Sequence, residues 1–198
     1  MILAGDHKIH IGLDFVYWAV LFVFPLNMIG QTVIFQVDSI PVKNGEVVFE
    51  AHLETVLSQE QINARFNHFI SKMLNPASGK IVEKVPERTV CEIVDYIDVG
   101  DNFFQSFGVY MIYTLELGAR DGLGSVKIDD IQFLEKGYYQ SYMDPSDSRS
   151  LPLMSARDIM LDRTFKQMFF KDASLRITQS SIDRVNVIVE DLQNLIED

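Results

Sequence analysis

Cysteine and histidine are scarce in this chain of 198 residues, and their scarcity excludes several kinds of chemistry. Cys91 is the single cysteine, so no internal disulfide and no cysteine-rich zinc site can form. No cysteine stands behind the amino-terminal apolar run to carry a lipid anchor. Within an apolar strand pattern its thiol reads as a small core side chain. Of the four histidines, His7 and His10 lie near the amino terminus, which leaves His52 and His68 for the rest of the chain. His52 falls on the wet side of a strand pattern and His68 on the flank of a helical one, positions that suit surface residues rather than metal ligands or bases. The chain also lacks a His-Glu-x-x-His, a Gly-x-Ser-x-Gly, a phosphate-cradling glycine loop and a dinucleotide fingerprint. No catalytic, cofactor-binding or metal residue is therefore assigned.

Basic residues are few as well: 17 Lys and Arg stand against 28 Asp and Glu, for a net charge of −11. Nearly all of this acidity lies beyond residue 30, because the first thirty residues hold only Lys8, Asp6 and Asp14. Nucleic-acid affinity rests on cations that neutralise phosphates, and no basic stripe is present, so a nucleic-acid partner is not expected.

One stretch is rich where the rest is moderate. "FVYWAVLFVF" (Phe15 to Phe24) is uncharged, and uncharged residues continue to Val37. At about 1.5 Å per residue that length could cross a hydrocarbon layer of about 30 Å. The dense part nevertheless stops at Phe24, with Pro25, Asn27 and Gly30 behind it, as in a cleavable leader. Residues 1–30 are expected to be a signal peptide or an N-terminal membrane anchor, the tether running through residues 15–30. A buried segment of a cytosolic domain is the third possibility.

Residues 38–198 read as one α+β domain. In "EVVFEAHLET" Val47, Phe49, Ala51 and Leu53 alternate with Val48, Glu50, His52 and Glu54 at the period of a half-buried strand. Ser58 and Gln61 then form a capping box for a helix from Gln59 to about Leu74, with Ile62, Phe66, Phe69, Ile70, Met73 and Leu74 along one face. Asn75-Pro76 stops it. Strand patterns follow at 79–85, 88–99, 106–117 and 125–135, and Asp121-Gly122 marks a hairpin between the last two. Residues 137–154 suit a connecting loop. Residues 155–198 suit two helices: one capped by Ser155 and Asp158 and carrying Ile159, Phe165, Met168 and Phe169, the other over 180–197 with Ile182, Val185, Ile188, Val189, Leu192, Leu195 and Ile196. The expected architecture is β-α-β4-α, a five-stranded antiparallel sheet with its helices packed on one face.

Two acidic clusters, Asp95/Asp98/Asp101 and Asp129-Asp130, read as solvated strand-end charges. The first lacks calcium-loop spacing, and adjacent strand residues point to opposite faces unless a bulge intervenes.

"PVKNGEVVFE" ahead of the capped helix, "GKIVEKV", and "YTLELGARDGLGSVKIDDIQF" together resemble a domain-of-unknown-function family with a TBP-like fold, found in exported proteins of Bacteroidetes-type bacteria. The resemblance covers about half the chain, from Asp38 to Glu135. It implies the fold and export to the periplasm or cell envelope of a Gram-negative bacterium, and it brings no activity and no site residues. The expected function is a non-enzymatic binding or scaffolding module whose partner is an envelope protein. The alternative is a carrier holding a lipid or small apolar ligand between helices and sheet. Tyr138, Tyr139 and Tyr142 are the candidate partner surface, or else a cover for the sheet.

Overall fold

Alternating side chains and one well-capped helix set the architecture in the computed structural model, which describes residues 34–102, 105–165 and 172–197. All of them belong to a unit spanning Thr32–Asp198. The leader expected at 1–30 lies outside the described residues. Among those that are described, no helix is long and apolar enough to cross a membrane.

Two short strands, β1 (Val42–Lys43) and β2 (Glu46–Val47), make a small hairpin ahead of β3 (Phe49–Glu54). In β3, Phe49, Ala51 and Leu53 are buried, while His52 and Glu54 are exposed. The chain then enters α1 (Gln59–Met73) through the predicted box: Ser58 Oγ accepts from the Gln61 N–H at 3.4 Å, and Gln61 Oε1 accepts from the Ser58 N–H at 2.9 Å. The Leu74 N–H closes the far end on Ile70 O.

Four strands follow as a meander: β4 (Gly79–Val85), β5 (Arg88–Asn102), β6 (Gln105–Arg120) and β7 (Leu123–Glu135). The sheet runs β3-β7-β6-β5-β4, every neighbour antiparallel. At the β6–β7 hairpin Gly122 has φ +75°, which only a residue without Cβ adopts cheaply.

Residues 137–154 are more ordered than a plain loop. A 3-10 turn (Lys136–Tyr138) runs into the short helix α2 (Tyr139–Met143), and the two-residue strand β8 (Met154–Ser155) pairs with β7 at Gln132 and Phe133. The first closing helix is likewise corrected. Ser155 and Asp158 do bond as a cap, but among the described residues only one π-type turn, Arg157–Leu161, follows them. The backbone leaves it through Arg163 at φ +51°, a conformation that does not continue a right-handed helix. Met168 and Phe169 lie outside the described residues.

The last helix, α3 (Ala173–Glu197), starts earlier than the apolar stripe implied. Thr178 and Ser181 are buried within it, and their hydroxyls donate to Ser174 O and Ile177 O at 2.7 Å, so they join the buried face without an orphaned polar group.

Helices α1 and α3 share one core with the same face of the sheet. Ile62, Phe66 and Ile70 of α1 and Ile182, Val185, Ile188, Val189, Leu192 and Ile196 of α3 pack with Cys91, Ile93, Met111, Leu115, Leu117, Val126 and Ile128. At about 1.5–3 kcal/mol gross for each large apolar side chain removed from water, this layer dominates the stability of the domain.

Candidate functional site

The face of the sheet turned away from the helices is where side chains remain available, and strand register arranges them in rows. One row crosses all five long strands as His52, Ser125, Gly118, Arg88 and Val85. The next is Glu50, Lys127, Glu116, Val90 and Glu83. Beyond them come Asp129, Thr114, Glu92 and Lys80, and then the apolar Ile112, Val94, Tyr110 and Leu134. One half of this outer face is polar. The other is apolar.

In the polar half Gly118 occupies the centre of its row and leaves a gap where its neighbours carry side chains. A Cβ there would sit 2.4 Å from Ser125 Oγ. The result is a hollow of about 460 Å³ lined by His52, Val85, Glu116, Arg88, Arg120 and Ser125 among others. Arg88 donates to Glu83 at 2.6 Å and stands 3.8 Å from Glu116, which raises its guanidinium above the ordinary value. Lys127 is paired with Asp129, chiefly through a hydrogen bond that raises its ammonium. These exposed pairs fix side-chain positions more than they stabilise the fold.

The apolar half is covered. Val94, Ile112 and Leu134 form a second small core beneath Tyr110, Tyr139, Tyr142 and Leu151. Tyr139 stacks on Tyr110 with ring centroids 3.9 Å apart and an interplanar angle of 10°, and its hydroxyl donates to Ala77 O at 2.6 Å. The Tyr142 hydroxyl is 3.4 Å from Glu92 Oε1; burial, then the glutamate charge, push its pKa up. Tyr138 alone of the three is exposed. The sequence-designated tyrosines are thus split: Tyr139 and Tyr142 cover the outer face, and Tyr138 is turned to solvent.

The acidic clusters also resolve differently from their sequence reading. Asp95 shares the inward parity of Ile93 and Ile97. Its carboxylate accepts from the Tyr113 hydroxyl at 2.7 Å and from Arg184 Nε of α3 at 2.8 Å, so it is a helix-to-sheet link and not a solvated strand-end charge. Burial lowers the Arg184 pKa, and the bonds to Asp95 more than reverse this, leaving it raised. At Asp129-Asp130 the exception that permits a shared face occurs: the register shifts opposite Tyr113, Asp130 takes φ +51°, and it accepts from Thr114 Oγ1 at 3.3 Å on the outer side. Lys127 holds Asp129, and Asp130 is exposed.

His52 lies on the outer face, whereas His68 lies on α1 beside a groove of about 410 Å³ with Phe69, Lys72, Met73 and Arg184. The sheet separates the two. Among the described residues no three of His, Cys, Asp and Glu converge as metal ligands would. Cys91 is fully buried, and burial pushes its thiol up to about 11, which disfavours the thiolate.

Two solved structures share this fold. A DUF4468 family protein from Bacteroides ovatus superimposes with a TM-score of 0.60 over 80% of this chain and 91% of its own, at 14% identity. A TBP-like protein from Parabacteroides distasonis does so with a TM-score of 0.57 over 80% of this chain and 99% of its own, at 16% identity. The fold is TBP-like. At such identities the likeness extends to the fold and not to function. No protein-family model matches the chain, and no curated protein matches it in sequence.

Arg184, the Gly118 hollow and the second core escaped the sequence reading. Parity would have placed Asp95 inward, between Ile93 and Ile97, and Arg184 lies among Ile182, Val185 and Ile188 of the buried stripe. The hollow depends on which residues register across five strands, which one strand's sequence does not state.

Proposed function

We propose that this TBP-like domain is a non-enzymatic binding or scaffolding module, exported to the cell envelope, whose partner surface is the open polar half of the outer face of the sheet. The observation that carries the proposal is the division of that face: the chain covers its apolar half with its own tyrosines, and the rows through His52 and Glu50 stay open. Those rows offer many donors and acceptors on a rigid sheet, which suits recognition of a polar protein surface. His52 and His68 stand on opposite sides of the sheet, so neither can orient the other for acid–base work.

A carrier would need room between helices and sheet, and that layer is filled by Ile62, Phe66, Ile188 and Leu192 against Cys91, Met111 and Leu115. Nucleic acid on the outer face would meet Glu50, Glu83, Glu92 and Glu116, which disfavours phosphates. Export rests on the amino-terminal run. Substituting Glu116 and His52 by lysine is the test: co-purification of the envelope partner should be lost, with thermal unfolding unchanged. Partner retention by this variant contradicts the proposal, and extraction of a stoichiometric lipid from the pure protein would restore the carrier.

A further inference from the structure

The apolar half of the outer face is built differently from the core on the helical side. Val94, Ile112 and Leu134 are 6%, 7% and 0% exposed, yet no residue of the segment above them, from Lys136 to Leu153, is itself fully buried. The segment is held by the Tyr139–Tyr110 stack, by the packing of Tyr139, Tyr142 and Leu151 on the patch, by the Lys136 ammonium 5.3 Å from the centre of the Tyr96 ring, by one hydroxyl bond to Ala77 O and a longer one to Glu92, and by the two-residue pairing of β8 with β7. Its other side-chain bonds are largely internal, as with Arg149, which bonds Asp147 and Ser141 within the same segment. By contrast α3 buries eleven residues on the opposite face.

We infer that Lys136–Leu153 is a displaceable strap lying over a docking surface of the sheet, and that the occupant which replaces it is a partner segment bearing an aromatic ring beside an aliphatic side chain. The chemistry of the occupant follows from the strap itself. What fits over Tyr110, Val94, Ile112 and Leu134 is the pair of rings Tyr139 and Tyr142 with Leu151, flat bodies with hydroxyl tips that reach Ala77 O and Glu92 at the rim. A segment with few buried groups of its own opens without unfolding the sheet or helices, so the patch is reachable by local opening. Displacement would join the apolar patch to the polar rows and enlarge one continuous surface. This rests on the outer face being the partner surface.

The test uses the full chain and, as probe, a synthetic peptide with the sequence of residues 136–153. Binding to native protein is compared with binding to the Tyr139→Ala/Tyr142→Ala variant, whose own strap is weakened. The variant should keep a cooperative unfolding transition, bind the peptide at least tenfold more tightly than native protein, and show amide NMR shifts at Tyr110, Ile112 and Leu134. A peptide with serine in place of its tyrosines should not bind. Equal binding to both proteins, shifts elsewhere, or a variant without a cooperative transition would each overturn the inference. The polar rows are untouched by these substitutions, so loss of the envelope partner in the His52/Glu116 variant tests the broader proposal separately.

Discussion

Arg184 on the closing helix donates to Asp95 on the second strand of the meander at 2.8 Å, with the two side chains 32% and 17% exposed. Asp95 also accepts the Tyr113 hydroxyl, so one carboxylate ties α3 to two strands. Asp95 is the leading charge acting on Arg184, and Asp191 acts on it more weakly. Asp95→Asn should therefore leave Arg184 poorly compensated and lower stability by about 2 kcal/mol. A double-mutant cycle with Arg184→Met, read by denaturant unfolding, should give a coupling of about 1 kcal/mol or more, the value expected for side chains in one network.

Phe66 is 2% exposed at the centre of α1, with its ring end against Gly124 of β7. Truncation to alanine leaves a cavity in the main core and should cost about 3–5 kcal/mol. Aspartate at the same position would bury an unpaired charge and abolish the folded state. Thermal unfolding followed by circular dichroism checks both, and an unchanged midpoint would mean that α1 does not pack on the sheet.

Alkaline pH should weaken the fold. Burial raises the Cys91 thiol from 9.0 to about 11, and burial together with Asp95 raises the Tyr113 hydroxyl well above its usual 10.0. Both groups are neutral when protonated, and both titrate at higher pH in the folded chain than in the unfolded one. Their contribution is thus full below pH 9 and is lost as pH rises through the folded values. Melting midpoints measured from pH 8 to 11 should fall above pH 9, and Cys91→Ala should flatten part of the fall. The native thiol should also resist a disulfide reagent until denaturant is added.

Gly79 opens the edge strand β4 at φ +141°, and a Cβ there would lie 2.2 Å from the backbone oxygen of Glu92. Both the conformation and the contact exclude a side chain, and the obstructing atom is main chain that cannot rotate away. Gly79→Ala should cost about 1–3 kcal/mol and loosen β4. Hydrogen exchange of the amides in Lys80–Val85 is the readout, with α3 as the internal reference.

Much of this fold was legible because it follows short-range rules. Ser58 and Gln61 announced α1, and the alternation around Phe49 and Met111 announced strands, because capping and pleat periodicity are local. What escaped was decided at a distance. Thr178 and Ser181 break the apolar stripe by composition, yet they are buried because their hydroxyls find carbonyls one turn back. Asp95 carries a charge that suggests solvent, and the arrival of Arg184 from 89 residues away, together with the Tyr113 hydroxyl, makes its inward position tolerable. The tyrosines were visible as unusual, but covering the sheet and meeting a partner draw on the same amphipathic ring. Whether Asp129 and Asp130 share a face turned on a single-residue bulge, which adjacent aspartates do not signal.

The most direct test is photo-cross-linking of the full chain in cells of its native host, with the reactive side chain placed either at His52 on the open row or at Glu190 on the exposed side of α3. Attachment through the bare side of the β layer predicts one discrete adduct from position 52 and none from position 190. Adducts from position 190, with position 52 silent, would contradict it.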